Sequence, residues 1–495
     1  MPTLYRRTDV SRSSIRAMPS RWMYGLLGSF SQGLTRFLYS VLIGRFLGAA
    51  DLANINSAIS LALFLSLLWP TSAGQAATRF VAQLRGEQRP DQAQAVANHL
   101  GVRMLGVSVP LAALSVGISI TVLHLDVATA SCAGLLLLGY AGWSFTRGVQ
   151  YGAGQIVRSA LWDVAGSLAA LVMLAAVLIA GLQPFLLLPL ALSYGLYAVV
   201  CWPAPSTAVV DTALLSSINA FVRYGVLGTL SSAGMLQLSM LAANMAGTGV
   251  QAGMYAAALS LATPATMLAR TGSQVLFPAM AEAGGRNDAQ TMRHQTDAVT
   301  RALVVAMPAV FGGLALASPL LIDVLYGQRF AGAQDILPVL LIAVMFTTIP
   351  VAAVNRLNAT GIRGARFVSI VAACGLLVAF ALWLVFGPVA GVLGVALGYL
   401  VATSATSLVM VIRCWRMEHH QWTGVVLRFT VSLLLLASGV IFTNVADPPH
   451  WVGIVLSVSF VGVWTLVNFR EIRTLRAARP RPTTPTGVQR SAASR

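Results

Sequence analysis

Near the N-terminus, one helical stretch carries polar residues at a spacing that places them on a single face. The intervals of four, three, four and four residues keep side chains on one side of an α-helix. The residues are Gly25, Ser29, Gln32, Arg36 and Ser40. Because the rest of the stretch is largely apolar, the face predicts a wet or protein-lined cavity in which Arg36 binds a ligand. The alternative is an arginine that only anchors neighbouring helices.

A second arginine inside an apolar segment, Arg270, follows Pro264. The proline would kink the helix and free backbone carbonyls toward a cavity. We predict that Arg270 and Arg36 share one cavity, in which amide side chains add neutral hydrogen bonds. These substrate-binding candidates are Gln32, Gln75, Gln237 and Asn244. Each amide alone is also explained as a contact between helices.

One carboxylate, Asp163, lies within an apolar segment, five residues after Arg158. The two interpretations are an ion pair, either with Arg158 in the same helix or across helices, and a role in proton or ion coupling. Arginines in a cavity without a matching carboxylate favour an anionic cargo, and the planar arginine fork suits phosphate. The sequence has no Lys and no Walker-type loop, its four cysteines are scattered, and no catalytic group, cofactor or metal site is predicted.

The composition predicts an integral membrane protein. Of the 495 residues, 57% are hydrophobic and 9% are charged, whereas soluble domains carry about 25% charged residues. A net charge of +17 could indicate nucleic-acid binding, but the basic residues lie mainly in tails and short loops, without recognition patterns. Their distribution is typical of the positive-inside rule. The composition and the distribution of charge therefore predict neither a soluble enzyme nor a nucleic-acid-binding protein.

Apolar runs predict an all-α protein of about fourteen spanning helices. The predicted segments are 21–48, 51–78, 98–124, 126–147, 155–181, 184–203, 217–244, 250–281, 298–325, 332–356, 363–387, 391–415, 421–446 and 450–470. With the N-terminus in the cytoplasm, the outer loops contain a single basic residue, Arg329. We therefore predict a multi-pass protein of the cell membrane with both termini in the cytoplasm. Short outer loops count against envelope polymerases and glycosyltransferases, which need external surface for chemistry.

An internal repeat divides the chain. Tyr24–Ser31 (Tyr-Gly-Leu-Leu-Gly-Ser-Phe-Ser) resembles Tyr224–Ser231 (Tyr-Gly-Val-Leu-Gly-Thr-Leu-Ser), and matches continue at the same offset in the next helix. An even number of helices per copy predicts parallel repeats about the membrane normal. The predicted division is a basic cytoplasmic tail at 1–20, a six-helix bundle at 21–205, a cytoplasmic linker at 206–216, a second six-helix bundle at 217–416, an additional helix pair at 421–470 and a disordered basic tail at 471–495.

Four stretches resemble the polysaccharide-flippase branch of the multidrug/oligosaccharidyl-lipid/polysaccharide exporter superfamily. They are Gly44–Gly48 (Gly-Arg-Phe-Leu-Gly), Leu276–Glu282 (Leu-Phe-Pro-Ala-Met-Ala-Glu), Leu325–Leu337 and Asn358–Arg363. The resemblance covers about residues 21–470, and its motifs are structural. It implies a flippase that moves a polyprenyl-pyrophosphate-linked oligosaccharide to the outer leaflet, for which Arg36 and Arg270 match a cationic cavity by position. Polysaccharide polymerases and glycosyltransferases are the implied partners.

Two other functions within this superfamily remain open. A lipid II flippase shares the architecture but characteristically has more cavity arginines. A multidrug/cation antiporter would need a membrane-embedded carboxylate for exchange, and Asp163 is the one candidate. A major-facilitator transporter is disfavoured, because residues 79–86 do not match the loop that follows its second helix.

Overall fold

The computed structural model describes residues 18–264, 289–359, 362–446 and 449–477, and these ranges contain helices and no strands. The helices are α1 Met18–Leu47, α2 Ala49–Leu67, α3 Pro70–Gly86, α4 Pro90–Thr121, α5 Val127–Gly152, α6 Ile156–Ile179, α7 Leu188–Val200, α8 Thr212–Ala246, α9 249–264, α10 Ala289–Met307, α11 Gly313–Leu316, α12 Ser318–Tyr326, α13 Ala333–Thr348, α14 Val351–Ala359, α15 Ile362–Glu418, α16 Thr423–Ala446, α17 His450–Val467 and α18 Phe469–Ala477. A π-helical turn, Pro308–Gly312, joins α10 to α11.

Ten helical stretches in the described ranges have the length and composition to cross a membrane, and Trp451–Val467 is a shorter apolar helix. One stretch, Arg363–Glu418, has 56 residues. A straight helix of that length would extend about 84 Å at 1.5 Å per residue, almost three times the ~30 Å hydrocarbon layer. The chain is therefore a multi-pass α-helical membrane protein, and the number of fourteen spans stays a prediction.

The long helix α15 is a hairpin that turns at Gly391, where φ is 56° and ψ is −137°. A positive φ of this kind favours glycine. Residues before the turn contact residues after it. Trp383 Nε1 donates to the Val395 carbonyl at 3.1 Å, and a Cβ built on Gly375 would lie 2.1 Å from Thr406. Contacts between positions equally far from the turn define two antiparallel limbs, 362–390 and 391–418. The predicted segments 363–387 and 391–415 correspond to these limbs.

Equivalent glycines of the repeat face corresponding helices, although Gly28 packs more closely than Gly228. A Cβ on Gly28 in α1 would lie 3.0 Å from the Ala160 Cα in α6, and one on Gly228 in α8 would lie 3.9 Å from Ser369 Oγ in the first limb of α15. Each glycine lies in the first predicted helix of its half and faces the fifth predicted helix of that half. We propose on this basis that the chain consists of two like bundles with the predicted boundaries, except that α8 already begins at Thr212, capped by Asp211.

The two proposed bundles touch at the ends of α1 and α2. Arg45 Nη2 donates to the Val324 carbonyl of α12 at 2.5 Å, and a Cβ on Gly44 would lie 2.8 Å from the Tyr326 ring. At Gly253 in α9, a Cβ would lie 2.0 Å from the Ala49 carbonyl oxygen, so only glycine permits this approach. With the predicted orientation these contacts close the outer side of the space between the bundles.

The C-terminal helix pair is anchored by ion pairs at one end. In α18, Glu471 accepts from Arg428 Nη2 at 2.8 Å and from Arg301 Nη1 at 3.4 Å, and Arg301 also pairs with Asp297 at 2.9 Å. The prediction of disorder from residue 471 is therefore wrong for 471–477, because these pairs hold α18 in place. Composition alone indicated a solvated basic tail there. Residues 478–495 lie outside the described ranges, as do 1–17.

Beside this anchor, His420 lies in the turn between α15 and α16. The imidazole stacks on Trp422 with ring centroids 4.4 Å apart, and its Nδ1 is 3.7 Å from Asp297 Oδ1. Burial lowers the pKa of His420 below its ordinary value, as do Arg293 and Arg301, whereas the Asp297 and Glu418 carboxylates oppose the shift. The folded chain therefore prefers neutral imidazole.

The lowered pKa predicts a pH dependence of stability. Below about pH 6.5 the unfolded chain protonates His420 more readily than the folded chain, so the free energy of unfolding falls as the pH drops through this range. Thermal unfolding of the purified protein at about pH 7.5 and about pH 5.5 measures the effect. We expect His420→Gln to reduce the difference in melting temperature between the two conditions. An unchanged difference in the variant would contradict the assignment to His420.

Candidate functional site

The polar face of α1 packs against α6 because small residues allow the helices to approach. Gly28 contacts Ala160, and Ser31 Oγ is 3.5 Å from Ser167 Oγ. One turn further along α1, Gln32 Nε2 donates to the main-chain carbonyl of Asp163 at 3.2 Å and lies 3.5 Å from its Oδ1. Gln32 is therefore buried against α6 and bonded to Asp163.

Asp163 forms an ion pair with Arg147 of α5, not with Arg158. Arg147 Nε donates to Asp163 Oδ2 at 3.0 Å, and Trp143 Nε1 donates to Oδ1 at 2.8 Å. Both members of the ion pair are buried: 7% of the Arg147 side chain and none of the Asp163 side chain is exposed. Arg147 Nη2 also donates to Ser29 Oγ at 2.7 Å, which ties α5 to the polar face of α1.

Of the two predicted pairings, the structure has the one across helices, and the pairing with Arg158 within α6 fails for a geometric reason. Residues five positions apart on a helix point in directions about 140° apart, whereas partners lie three or four positions apart. Arg158 donates instead to the Val200 carbonyl at 3.0 Å and contacts Gln155 Oε1 at 3.4 Å. Arg158 thus ties α6 to the end of α7.

Arg147 is a site residue that was not predicted. The predicted segment 126–147 ends at this arginine, at the cytoplasmic boundary, whereas α5 continues to Gly152. The available signal was the spacing of Trp143, Arg147 and Tyr151, four residues apart on one face. In the structure the Arg147 guanidinium carbon lies 5.3 Å from the Trp143 ring centroid and 4.9 Å from that of Tyr151.

Arg36 lies one turn beyond Gln32 and is half-buried. Together with Arg147 it borders a small cavity of about 20 Å³, room for about one water molecule. The remaining lining residues are Ser29, Gln32, Gly33, Tyr140, Trp143 and Tyr194. Within the described ranges, Arg36 makes no ion pair with a carboxylate and no side-chain hydrogen bond. A guanidinium beside aromatic rings and without a neutralising carboxylate can bind an anion.

Three of the other predicted substrate-binding residues, all in the described part of the chain, do not line this cavity. Gln75 is exposed on α3, with its Oε1 4.0 Å from the Cβ position of Gly225 in α8. Gln237 and Asn244 are half-buried on α8. Arg270 lies outside the described residues. Their joint role in binding therefore stays a prediction.

The buried ion pair makes Asp163 a strong determinant of stability. Removing one member of a buried pair leaves an uncompensated charge and costs about 3–5 kcal/mol. We expect Asp163→Ala to lower the free energy of unfolding by about this amount, and we expect the double variant with Arg147→Met to recover part of the loss. Denaturant unfolding of the purified variants measures the coupling. Equal stability of Asp163→Ala and the parent protein would show that the pair does not hold the helices together.

Two sequence families match adjoining parts of the chain. The MatE family matches residues 26–132, and a family described as polysaccharide biosynthesis protein matches residues 145–335. No curated protein sequence shows significant similarity to the chain.

Among solved structures, several transporters have the same fold. The lipid II flippase MurJ in an inward closed conformation superposes with a TM-score of 0.61 at 14% identity, covering 91% of this chain and 99% of its own. A multidrug resistance MATE transporter in an inward-facing conformation gives 0.63 at 16% identity, covering 80% and 94%. A transporter from Pyrococcus furiosus gives 0.56 at 16% identity, covering 81% and 95%. At these identities the similarity shows the fold alone.

The two family matches adjoin along the first two thirds of the chain, and the fold agrees with both. Family and fold thus select one superfamily of membrane exporters and flippases. The chain belongs to the multidrug/oligosaccharidyl-lipid/polysaccharide exporter superfamily.

Proposed function

We propose that the protein is a flippase that moves an anionic polyprenyl-pyrophosphate-linked oligosaccharide from the inner to the outer leaflet of the cell membrane. The observation that carries the proposal is Arg36, a half-buried guanidinium on the polar face of α1 that no described carboxylate neutralises. A positively charged residue beside a cavity of the first bundle favours an anionic headgroup, while the lipid chain stays in the bilayer. The match to a family of polysaccharide biosynthesis proteins supports a glycan cargo.

Transport would proceed by alternating access. The two bundles rock against each other, and the space between them opens first to the cytoplasm and then to the outside. With the cytoplasm negative, moving an anion outward releases ~2.3 kcal/mol per charge for each 100 mV. The membrane potential therefore supplies a driving force for a pyrophosphate headgroup without ATP.

The cation-antiporter alternative is weakened by the state of Asp163. A carboxylate that exchanges protons or metal cations must release its partner during transport. Asp163 is instead held by Arg147 at 3.0 Å and by Trp143 at 2.8 Å in a buried network. A guanidinium that stays protonated at cellular pH neutralises this carboxylate permanently.

The proposal is tested by deleting the gene and measuring where the lipid-linked oligosaccharides lie. We expect them to accumulate on the cytoplasmic leaflet and surface glycan to fall, and we expect the wild-type gene to restore both. Accumulation of lipid II instead would identify a lipid II flippase. Unchanged lipid-linked pools together with increased sensitivity to cationic drugs would refute the proposal and favour the antiporter.

A further inference from the structure

Two arginines from different helices contact one residue, Asn219 of α8, one through its side-chain oxygen and the other through its main-chain carbonyl. Arg103 Nη1 in α4 donates to Asn219 Oδ1 in α8 at 3.1 Å. Arg223, one turn after Asn219 on the same face of α8, contacts the Asn219 carbonyl through Nε at 3.4 Å. Because α4 and α8 belong to different proposed bundles, the cluster joins the two halves of the chain.

These two guanidiniums make no ion pair with the part of the chain that the structure describes. Arg147, Arg301 and Arg356 each pair with a carboxylate within 4.0 Å. Within the described ranges, neither Arg103 nor Arg223 has such a partner, and both side chains are exposed. The Arg103 contact uses Nη1 and the Arg223 contact uses Nε, so the remaining guanidinium donors are available to a ligand. The cluster is a concentrated positive charge that no carboxylate of the described residues neutralises.

The depth of the cluster follows from helix lengths. If α4 and α8 leave the hydrocarbon layer at their C-terminal ends, Thr121 and Ala246, the ~20 residues that cross it begin near residues 102 and 227. Arg103 and Arg223 then lie at the boundary of the inner leaflet. Apolar side chains continue from this level, since Val102 is 63% exposed and Leu227 is 42% exposed. A headgroup at the arginines would have its lipid chain along these residues.

We propose that Arg103, Arg223 and Asn219 form a lateral binding site for the pyrophosphate headgroup of an inner-leaflet lipid. Two guanidinium forks from separate helices can each bind one phosphate group in bidentate fashion. The site rests on the proposed function, for which it provides first contact with the cargo before the headgroup reaches Arg36. Because the site spans both bundles, a bound headgroup would also link α4 to α8.

The test is lipid binding by the full-length protein in nanodiscs of phosphatidylcholine. The probe is a fluorescent polyprenyl pyrophosphate, with phosphatidylglycerol and inorganic pyrophosphate as competitors. We expect Arg103→Gln and Arg223→Gln each to weaken binding about tenfold, and the double variant more than either. The matched control is Arg79→Gln, since Arg79 packs on Phe221 at 4.9 Å on another face of α8. This control should bind as the parent protein does.

Three results would overturn the assignment: unchanged binding in the double variant, displacement of the probe by phosphatidylglycerol at equal concentration, or equal affinity for inorganic pyrophosphate. The first result would show that the arginines do not bind the lipid, the second that the site binds anionic lipids in general, and the third that the lipid chain does not contribute to binding.

Transport assays separate this inference from the proposed function. Arginine-dependent binding by a protein that flips no glycolipid would leave the site intact and refute the function. Normal binding and normal flipping in the double variant would refute the site and leave the proposed function intact.

Discussion

Joining Ala50 to Gly249 by a disulfide is expected to stop transport completely. A Cβ on Gly249 would lie 3.7 Å from the Ala50 Cβ, within the ~3.5–4.5 Å found across disulfides. Both positions are exposed, and they lie where the first bundle meets α9 of the second. The Ala50→Cys/Gly249→Cys variant should therefore oxidise readily. If the two bundles must separate on this side during each cycle, the bridge holds them in one state.

The experiment uses a background in which the exposed cysteine, Cys374, is replaced by serine, because the other three cysteines are buried. Transport is measured before oxidation, after oxidation and after reduction, and reduction should restore it. The matched control is Ala246→Cys/Gly387→Cys, which joins positions 3.4 Å apart within the second bundle. This second bridge should leave transport largely intact. Full transport with the 50–249 bridge closed would rule out alternating access through this contact.

Arg36→Ala is expected to lower transport roughly 10- to 100-fold without lowering the amount of protein in the membrane. A hydrogen bond to a charged group contributes about 1.5–3 kcal/mol, and each 1.36 kcal/mol in the transport barrier changes the rate about tenfold. Arg36 forms no described ion pair with the protein, so its removal leaves no unpaired charge behind. Translocation of a lipid-linked oligosaccharide in proteoliposomes provides the measurement.

Arg36→Lys separates charge from geometry. Lysine keeps the positive charge but lacks the planar fork that binds phosphate in bidentate fashion, so we expect intermediate transport. Arg329→Ala, an exposed position on the predicted outer side, controls for the loss of one positive charge. Normal transport by Arg36→Ala would refute the cationic cavity as the binding site. Loss of protein from the membrane would instead indicate that Arg36 anchors helices.

Membrane class and helical content could be predicted from the sequence because both depend on local composition. Apolar runs of spanning length exclude water, and the bilayer requires that backbone groups bond within a helix. The two limbs of α15 were predicted as separate segments, 363–387 and 391–415, and Gly387, Pro388 and Gly391 interrupt the apolar run between them. The polar face of α1 also follows from local spacing, and Gln32 does lie with Arg36 beside one cavity.

Partners between helices could not be predicted, because they depend on which helices pack together and at what depth. The structure pairs Asp163 with Arg147 sixteen residues away, since Gly28 lets α1 approach α6 while α5 lies alongside. It also holds residues 471–477 as a helix through arginines from α10 and α16.

The sequence alone thus determined what the chain is made of: apolar helices for a bilayer, a basic side and one polar face. Only the tertiary structure decided which charges are neutralised inside the protein and which remain open. Arg147 forms an ion pair with the buried Asp163, whereas Arg36, Arg103 and Arg223 have no described carboxylate partner. The physical reason is that composition and periodicity act along the chain, whereas charge pairing acts across a few ångströms between segments that are distant in sequence.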